Sequence, residues 1–295
     1  MVQRVAIFGQ SFYPETERYL IQLLDVLKAN AIEVVIEEGY HELLQGEKSI
    51  EDLRALSTFS VLDESFDLFF TIGGDGTILS AAKFVKNLNI PIIGINTGRL
   101  GFLATVHKDE IKKSIEDILE GRYKVSERAL LEVKTDPNKA ELGDFCFALN
   151  DIAISRKETT SMITIETWLD DEFLNSYWSD GIIISTPTGS TGYSLSCGGP
   201  IVTPQTKSFI ITPIAPHNLN ARPLVIPDHL EIKLKISGRE KQYSISLDSR
   251  LSSLNKDTIV RIKKADFKIN LIWLHNDSFI KTLRKKLLWG QDKRN

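Results

Sequence analysis

Several things are scarce in this chain of 295 residues, and each scarcity excludes something. There are only two cysteines, Cys146 and Cys197. That is too few for a disulfide framework, and neither sits in metal-ligand spacing, so both are expected to be reduced thiols. No apolar run approaches the roughly 20 residues that cross a bilayer. The N-terminal apolar stretch, Val5 to Phe8, is too short for a secretory signal. Charge of one sign is also lacking. The formal net charge of -3 gives no basic field to gather DNA or RNA. These readings lead to an expectation of a cytoplasmic protein with no membrane and no nucleic-acid partner. The Gly-Lys-Ser/Thr ending of a P-loop is missing as well.

What is present is an ordinary apolar fraction of 42%, enough for a real core. The length suits one large domain or two ordinary ones. The first third alternates strand and helix patterns. Val5 to Phe8, Glu33 to Ile36, Phe66 to Ile72 and Ile90 to Ile95 read as buried strands. Helical spacing occupies Pro14 to Asn30, Thr77 to Asn87, and Asp109 to Glu120 with Asp109 as N-cap. No element is assigned to 39–65. This rhythm predicts an α/β domain with a parallel, doubly wound sheet over 1–125.

Near residue 125 the period changes. Met162 to Trp168, Leu230 to Ile236, Tyr243 to Leu247 and Lys268 to Leu271 alternate every second residue. Such alternation predicts antiparallel strands with one wet face, hence a mostly antiparallel β domain over 126–272. Helical spacing returns at Ser278 to Leu288, capped by Asp277 or Ser278. A basic run there (Lys281, Arg284, Lys285, Lys286) reads as a solvated face.

The candidate chemistry starts at Gly73-Gly74-Asp75-Gly76-Thr77. Glycines after a strand let phosphate approach backbone N–H groups, and the following helix start favours an anion. A carboxylate in that place would repel phosphate unless it holds a metal or takes a proton from a hydroxyl. The bland alternative is a tight βα turn with Asp as turn former. Arg99, in a second such turn, is either a solvated arginine or a phosphate contact. Three isoleucines after Asp180-Gly181 lead into Ser185 to Pro200, a stretch of small and hydroxyl residues. It reads as a binding loop able to offer N–H and O–H donors, or as a surface Ω-loop. Asn150-Asp151 interrupts two apolar stretches and, taken alone, reads as a hairpin turn or bulge.

Together these segments resemble the NAD kinase family. The resemblance rests on Gly73 to Thr77, Asn96 to Leu103, Leu149-Asn150-Asp151, Asp180-Gly181 through Pro200, Pro213 to His217, Ala221 to Val225, and Leu247-Asp248-Ser249. It runs from about residue 66 to the C-terminus. The glycine turn by itself is shared with diacylglycerol-type lipid kinases and phosphofructokinases, whereas the long 186–200 stretch is specific. The resemblance implies transfer of a phosphoryl group from ATP or a related donor to the 2′-hydroxyl of the adenosine ribose of NAD. It implies a site in a cleft between the domains and a tail helix, 273–295, returning to the first domain. A homo-oligomer, tetramer or dimer, is also implied.

Residue by residue, the resemblance makes Asp75 the catalytic base. It assigns Asn150 and Asp151 to the adenosine part of NAD. The rest of the dinucleotide falls to Asp180 and to the loop Thr191, Gly192, Tyr193, Ser194, Leu195 and Ser196. Gly76, Ser161, Trp178, Ala215 and Arg250 complete the NAD positions, and Gly73, Gly74, Gly76, Thr77 and Arg99 are assigned to phosphate. Three residues depart from the family pattern: Asp151 stands for Glu, Gly192 for Ala, and Trp178 for a basic or polar residue. Phosphoryl transfer is mainly positioning and charge neutralisation. Mg²⁺ is therefore expected to bridge donor oxygens, with no dedicated protein ligands other than a contact from Asp75. Two rivals share parts of this pattern: a diacylglycerol-type lipid kinase and a non-catalytic dinucleotide sensor.

Overall fold

The computed structural model describes residues 2–13, 16–45, 56–137, 142–143, 145–157, 161–275 and 277–289. The chain divides into two compact units, Met1–Glu127 with Ile269–Asn295, and Arg128–Lys268.

In the first unit, β1 (Arg4–Gly9), β2 (Glu33–Glu37), β3 (Ser57–Phe59), β4 (Leu68–Ile72) and β5 (Ile92–Asn96) lie in the order β3-β2-β1-β4-β5. All neighbours are parallel, and β6 (Val106–His107) adds to β5. Every residue of β4 and β5 is buried, which is why their sequences are continuous apolar runs rather than alternating ones. Alternate residues then serve opposite faces. Val5, Ile7, Leu68, Phe70, Ile93 and Ile95 pack with α1 (Glu17–Ala29), α2 (Glu38–Gln45) and α4 (Ile111–Leu119). Phe8 and Phe69 face the other way, against Phe84 of α3 (Asp75–Val85). Helices on both faces make the sheet doubly wound, as the strand–helix rhythm predicts.

Some boundaries differ from the sequence reading. The stretch 39–65, assigned nothing, supplies most of α2 and all of β3. Tyr40 and Leu44 anchor α2 in the core, a tertiary gain that weak local periodicity did not announce. The first helix begins at Glu17, and Pro14, its expected start, lies outside the described residues. The fourth begins at Ile111 with Glu110, not Asp109, at the cap position. The third begins at Asp75, two residues early, because Gly74 is extended and fills the N-cap position.

The second unit is two antiparallel layers. Its strands are β7 (Tyr123–Asp136), which starts in the first unit, β8 (Phe147–Ala148), β9 (Asp151–Ser155), β10 (Ile163–Leu169), β11 (Glu172–Ser179) and β12 (Gly181–Ser185). A four-residue helix, α5 (Tyr193–Ser196), precedes β13 (Ser208–Ile214), β14 (Leu224–Pro227), β15 (Ile232–Ser237), β16 (Gln242–Leu247), β17 (Arg250–Asn255) and β18 (Ile259–Leu274). One layer is a six-stranded sheet in the order β14-β13-β12-β9-β16-β17. The other runs β11-β10-β15-β18, with β7 on β18 and β8 on β7. Even-numbered residues of β9 and β12 (Ile152, Ile154, Ile182, Ile184) meet Ile163, Ile165, Leu234, Ile236, Val260 and Ile262 in a single core.

The last residues of β18 belong to the first unit, where Leu271 registers parallel to Ile92. The chain closes with α6 (Phe279–Leu287), capped by Ser278, whose Oγ accepts from the Lys281 N–H at 3.2 Å. This tail helix belongs to the first unit, as expected, with Phe279 against Phe102.

Candidate active site

The glycine turn comes first. In the order β3-β2-β1-β4-β5, successive strands are added to one side of β1 and then, from β4, to the other, and ligands of open parallel sheets bind outside the carboxyl ends of strands at such a switch in strand order. Gly9-Gln10 leaves β1 there and Gly73-Gly74-Asp75 leaves β4. A bond from Gln10 Nε2 to Ser80 Oγ (2.6 Å) ties the two turns. Gly74 and Gly76 are exposed, so their backbone stays open to an approaching group, while Thr77 is buried.

Asp75 is held rather than loose. Its Oδ2 accepts from the Phe102 N–H (2.6 Å), and its Oδ1 accepts from Leu103 (3.0 Å) and Ala104 (3.2 Å). Gly101 makes this approach feasible, since a Cβ there would collide with the Asp75 carboxylate. A carboxylate offers about four lone-pair directions, so one on Oδ2 remains after three N–H bonds. That direction can take a hydroxyl proton. Arg99 is exposed on the adjoining loop, whose bend Asn96 fixes by donating to the Arg99 carbonyl (2.9 Å).

The second constellation lies in the β unit. Asn150-Asp151 is not a hairpin turn. Ala148, just before it, pairs with β7 in one layer, whereas Asp151 opens β9 in the other. The bend is where the chain changes layers, and its backbone is held from two sides. Asp248 accepts from the N–H groups of Leu149 (3.1 Å), Asn150 (2.7 Å) and Asp151 (3.3 Å). On the carbonyl side, Thr186 donates its hydroxyl to Leu149 (2.6 Å) and its N–H to Asn150 (2.9 Å). Gly189 packs directly on this bend, where any Cβ would strike the Asn150 carbonyl.

Register sends Asp151 away from the sandwich core, since Ile152 and Ile154 face inward. The stretch 186–199 packs beside this face, with Ser194 and Gly199 against Thr212 of β13 and Gly192 near Asp151 of β9. That stretch is not a surface loop throughout: Thr186 to Ser190 are all buried. Besides the Thr186 hydroxyl bond to Leu149, Ser190 Oγ donates to the Pro187 carbonyl at 2.7 Å and, just beyond, Thr191 Oγ1 to that of Thr188 at 3.2 Å. Ser194 turns inward to Thr212 (2.9 Å). Tyr193 and Ser196 are exposed, and Gly192 lies beside Asn150 Nδ2 and Asp151 Oδ2.

Charge in this constellation is unusual. Burial, reinforced by Asp248, pushes the Asp151 pKa up to about 7, against a bond from the Tyr193 N–H that lowers it. Burial also raises Asp248, opposed by its three N–H donors and Arg250. Tyr193 is raised by partial burial and then by Cys197, Asp151 and Asp180, which places all of these in one neighbourhood. Asp180 pairs with Arg156 through two contacts, 3.0 and 3.2 Å. Asn150 Oδ1 is buried with no hydrogen-bond partner.

The remaining expected positions are more scattered. Trp178 is exposed and lies on His217, with ring centroids 4.6 Å apart. Ala215 is exposed with φ 43°, and Ser161 is half-buried ahead of β10. Arg250 is committed to the carbonyls of Phe145 and Phe147. Sequence reasoning gave no role to Arg156, Thr186 or Asp248. Asp248 carried a signal, an Asp-Ser pair between alternating runs, which is how a two-residue hairpin loop reads. Among the described residues, no three His, Cys, Asp or Glu side chains group as metal ligands.

A doubly wound parallel sheet with an open glycine turn at its switch point defines a nucleotide-handling α/β protein, and a carboxylate in that turn suits transfer to a hydroxyl. Comparison with known proteins makes this specific. Residues 5–123 match the ATP-NAD kinase N-terminal domain and residues 149–274 the ATP-NAD kinase C-terminal domain. NAD kinases of Christiangramia forsetii and Flavobacterium psychrophilum are 56% and 55% identical, each over 99% of this chain and all of the relative. Among solved structures, yeast NADH kinase complexed with NADH aligns at TM-score 0.84 with 26% identity, over 99% of this chain and 89% of that one. An Archaeoglobus fulgidus NAD kinase in complex with ATP aligns at 0.74 with 25% identity, over 97% and 99%. The chain belongs to the NAD kinase family, and is a phosphotransferase acting on a hydroxyl group of NAD. The lipid-kinase and sensor alternatives gain no support.

Proposed function

We propose that this chain phosphorylates the 2′-hydroxyl of the adenosine ribose of NAD, with ATP as donor, and that Asn150 and Asp151 hold the adenosine. The carrying observation is the buried, unpartnered Asn150 Oδ1 beside the buried Asp151 carboxyl. An unsatisfied buried acceptor costs on the order of 1–3 kcal/mol, which a ligand donor recovers. Adenine offers an exocyclic amine, and a ribose offers hydroxyls to Asp151. Asp180, with Tyr193 and the exposed Ser196, is assigned to the remaining half of the dinucleotide. Trp178, Ala215 and Ser161 are supporting positions on the same assignment. Arg250 contributes by anchoring 145–147, and Ser194 by seating the loop.

Asp75 is the group that orients the hydroxyl and takes its proton, through the lone pair left on Oδ2. The exposed backbone of Gly74 and Gly76, with the exposed guanidinium of Arg99, suits the donor phosphates; Gly73 and Thr77 shape the turn. No cluster of three metal-ligating side chains is present among the described residues, which leaves Asp75, through the same Oδ2 lone pair, as the protein contact a donor-bound cation would have. A divalent ion such as Mg²⁺ would be held by the triphosphate and would supply charge neutralisation there. A cytoplasmic homo-oligomer is part of this proposal; no described helix is long and apolar enough to cross a membrane.

The test is direct. The purified chain, given NAD, ATP and Mg²⁺, should form NADP, and absence of NADP removes the proposal. Asp75→Asn should lower turnover by about 10²–10⁴, the range for one acid–base group. Near-normal turnover in that variant takes Asp75 out of the chemistry.

A further inference from the structure

The Asn150-Asp151 bend has no regular ladder to hold it, because it leaves one layer and enters the other. Its three successive N–H groups would otherwise be orphaned, and a buried orphan N–H is rare in folded proteins. One side chain takes all of them. Asp248 Oδ1 accepts from Asn150 (2.7 Å) and Asp151 (3.3 Å), and Oδ2 from Leu149 (3.1 Å). Asp248 reaches them because it is the first residue of the two-residue loop joining β16 to β17, in the left-handed region at φ 53°. Its own N–H donates back to the Asp151 carbonyl (2.9 Å). The opposite side of the bend is fixed by Thr186 and by the close approach of Gly189.

We infer that Asp248 is the positioning residue of the adenosine site: by gathering the N–H groups of Leu149, Asn150 and Asp151 on its carboxylate, it fixes the bend that presents the side chains of Asn150 and Asp151 to the dinucleotide. The inference rests on the adenosine reading of this bend given above. It has a second consequence, because Asp248 brings a negative charge next to Asp151. The groups facing Asp151 are Asp248 from the β16–β17 loop, Tyr193 from α5 and Cys197 just after it; Asp180 and Arg156 lie beyond Tyr193, and Arg250 sits behind Asp248. After burial, Asp248 is the largest cause raising Asp151. Removing that charge lets Asp151 ionise at lower pH. A residue that only braced the fold would leave this titration in place.

The experiment uses the full chain and Asp248→Asn, with Asp151→Asn beside it, measuring KM for NAD, KM for ATP and kcat from about pH 5.5 to 9. Asparagine keeps one acceptor oxygen but sets an NH₂ against an N–H. KM for NAD should rise about 10-fold or more in Asp248→Asn, with KM for ATP nearly unchanged. The inflection of KM for NAD with pH should move down in Asp248→Asn, and Asp151→Asn should lack it. An unchanged KM and inflection in Asp248→Asn, when Asp151→Asn alters both, overturns the positioning role alone. If Asp151→Asn alters neither, the adenosine reading and this inference fall together. Should Asp248→Asn not fold, amide exchange in the unaltered chain decides. Protected N–H groups at Leu149, Asn150 and Asp151 support the inference, and rapid exchange at Asn150 overturns it.

Discussion

Asp151 is a short acid in a buried place. An aspartate has one methylene less reach than a glutamate and the same two acceptor oxygens. The residue is 5% exposed, so its carboxyl pays desolvation and its pKa climbs to about 7. The sign of the linked stability follows. The folded state binds a proton that the unfolded state has lost, from about pH 4 to about 7, so this residue's contribution falls as pH rises through that window and is flat above it. Asp151→Asn should remove that fall, leaving a variant whose stability advantage grows by a few kcal/mol between pH 4 and 7. Denaturant titrations at several pH values measure it; parallel curves for the two proteins would count against a buried, protonating Asp151. For catalysis, Asp151→Ala should raise KM for NAD by about 10- to 150-fold, the worth of one charged hydrogen bond. The ATP constant should hardly move. If the ATP constant moves instead, the wrong substrate has been assigned to this residue.

At the scale of elements, the two glycine contacts explain why small residues stand in these turns. Gly101 lies against the Asp75 carboxylate, so the loop after β5 and the start of α3 are joined through the same side chain that is assigned the proton. Gly101→Ala should push the loop away, cost about 1–3 kcal/mol as overpacking does, and lower kcat more than it raises KM for NAD. Thermal unfolding and steady-state kinetics on one preparation test this, and a variant with normal kcat would show that the Asp75 anchorage is not needed in turnover. Here the sequence was only partly legible. The strand–Gly-Gly-Asp-Gly–helix order was plain, because Leu68 to Ile72 is mostly apolar and the glycines end it. The capture of Asp75 by Phe102, Leu103 and Ala104 was not, because it joins residues 27–29 positions apart through backbone N–H groups that every residue carries.

At the scale of the molecule, the tail helix is tied to the same loop. Phe279 is buried, its ring 6.1 Å from that of Phe102, and Lys286 sits 4.8 Å over the Phe102 ring. Part of the basic run on α6 is therefore an aromatic contact as well as a wet face. Phe279→Ala should destabilise the first unit by roughly 3 kcal/mol and, by loosening Phe102, lower turnover beyond the loss of folded protein. Activity per folded molecule, measured well below the unfolding temperature, checks this; a normal value would confine α6 to stability.

By itself the sequence determined the class of each half. Buried runs without alternation require a parallel sheet covered on both faces, and strict alternation over Leu230 to Ile236 or Tyr243 to Leu247 requires one inward and one outward face. It also determined the family, through the glycine turn and the long hydroxyl-rich stretch. What only tertiary structure decided is the environment of the acids. Asp151 reads as a turn residue beside Asn150, yet it is the first residue of a strand, buried beside Gly192 and Tyr193. Asp248 reads as a hairpin loop, yet it closes three amides almost a hundred residues away. Burial and neighbouring charge are sums over distant groups, and no local pattern in the chain encodes them.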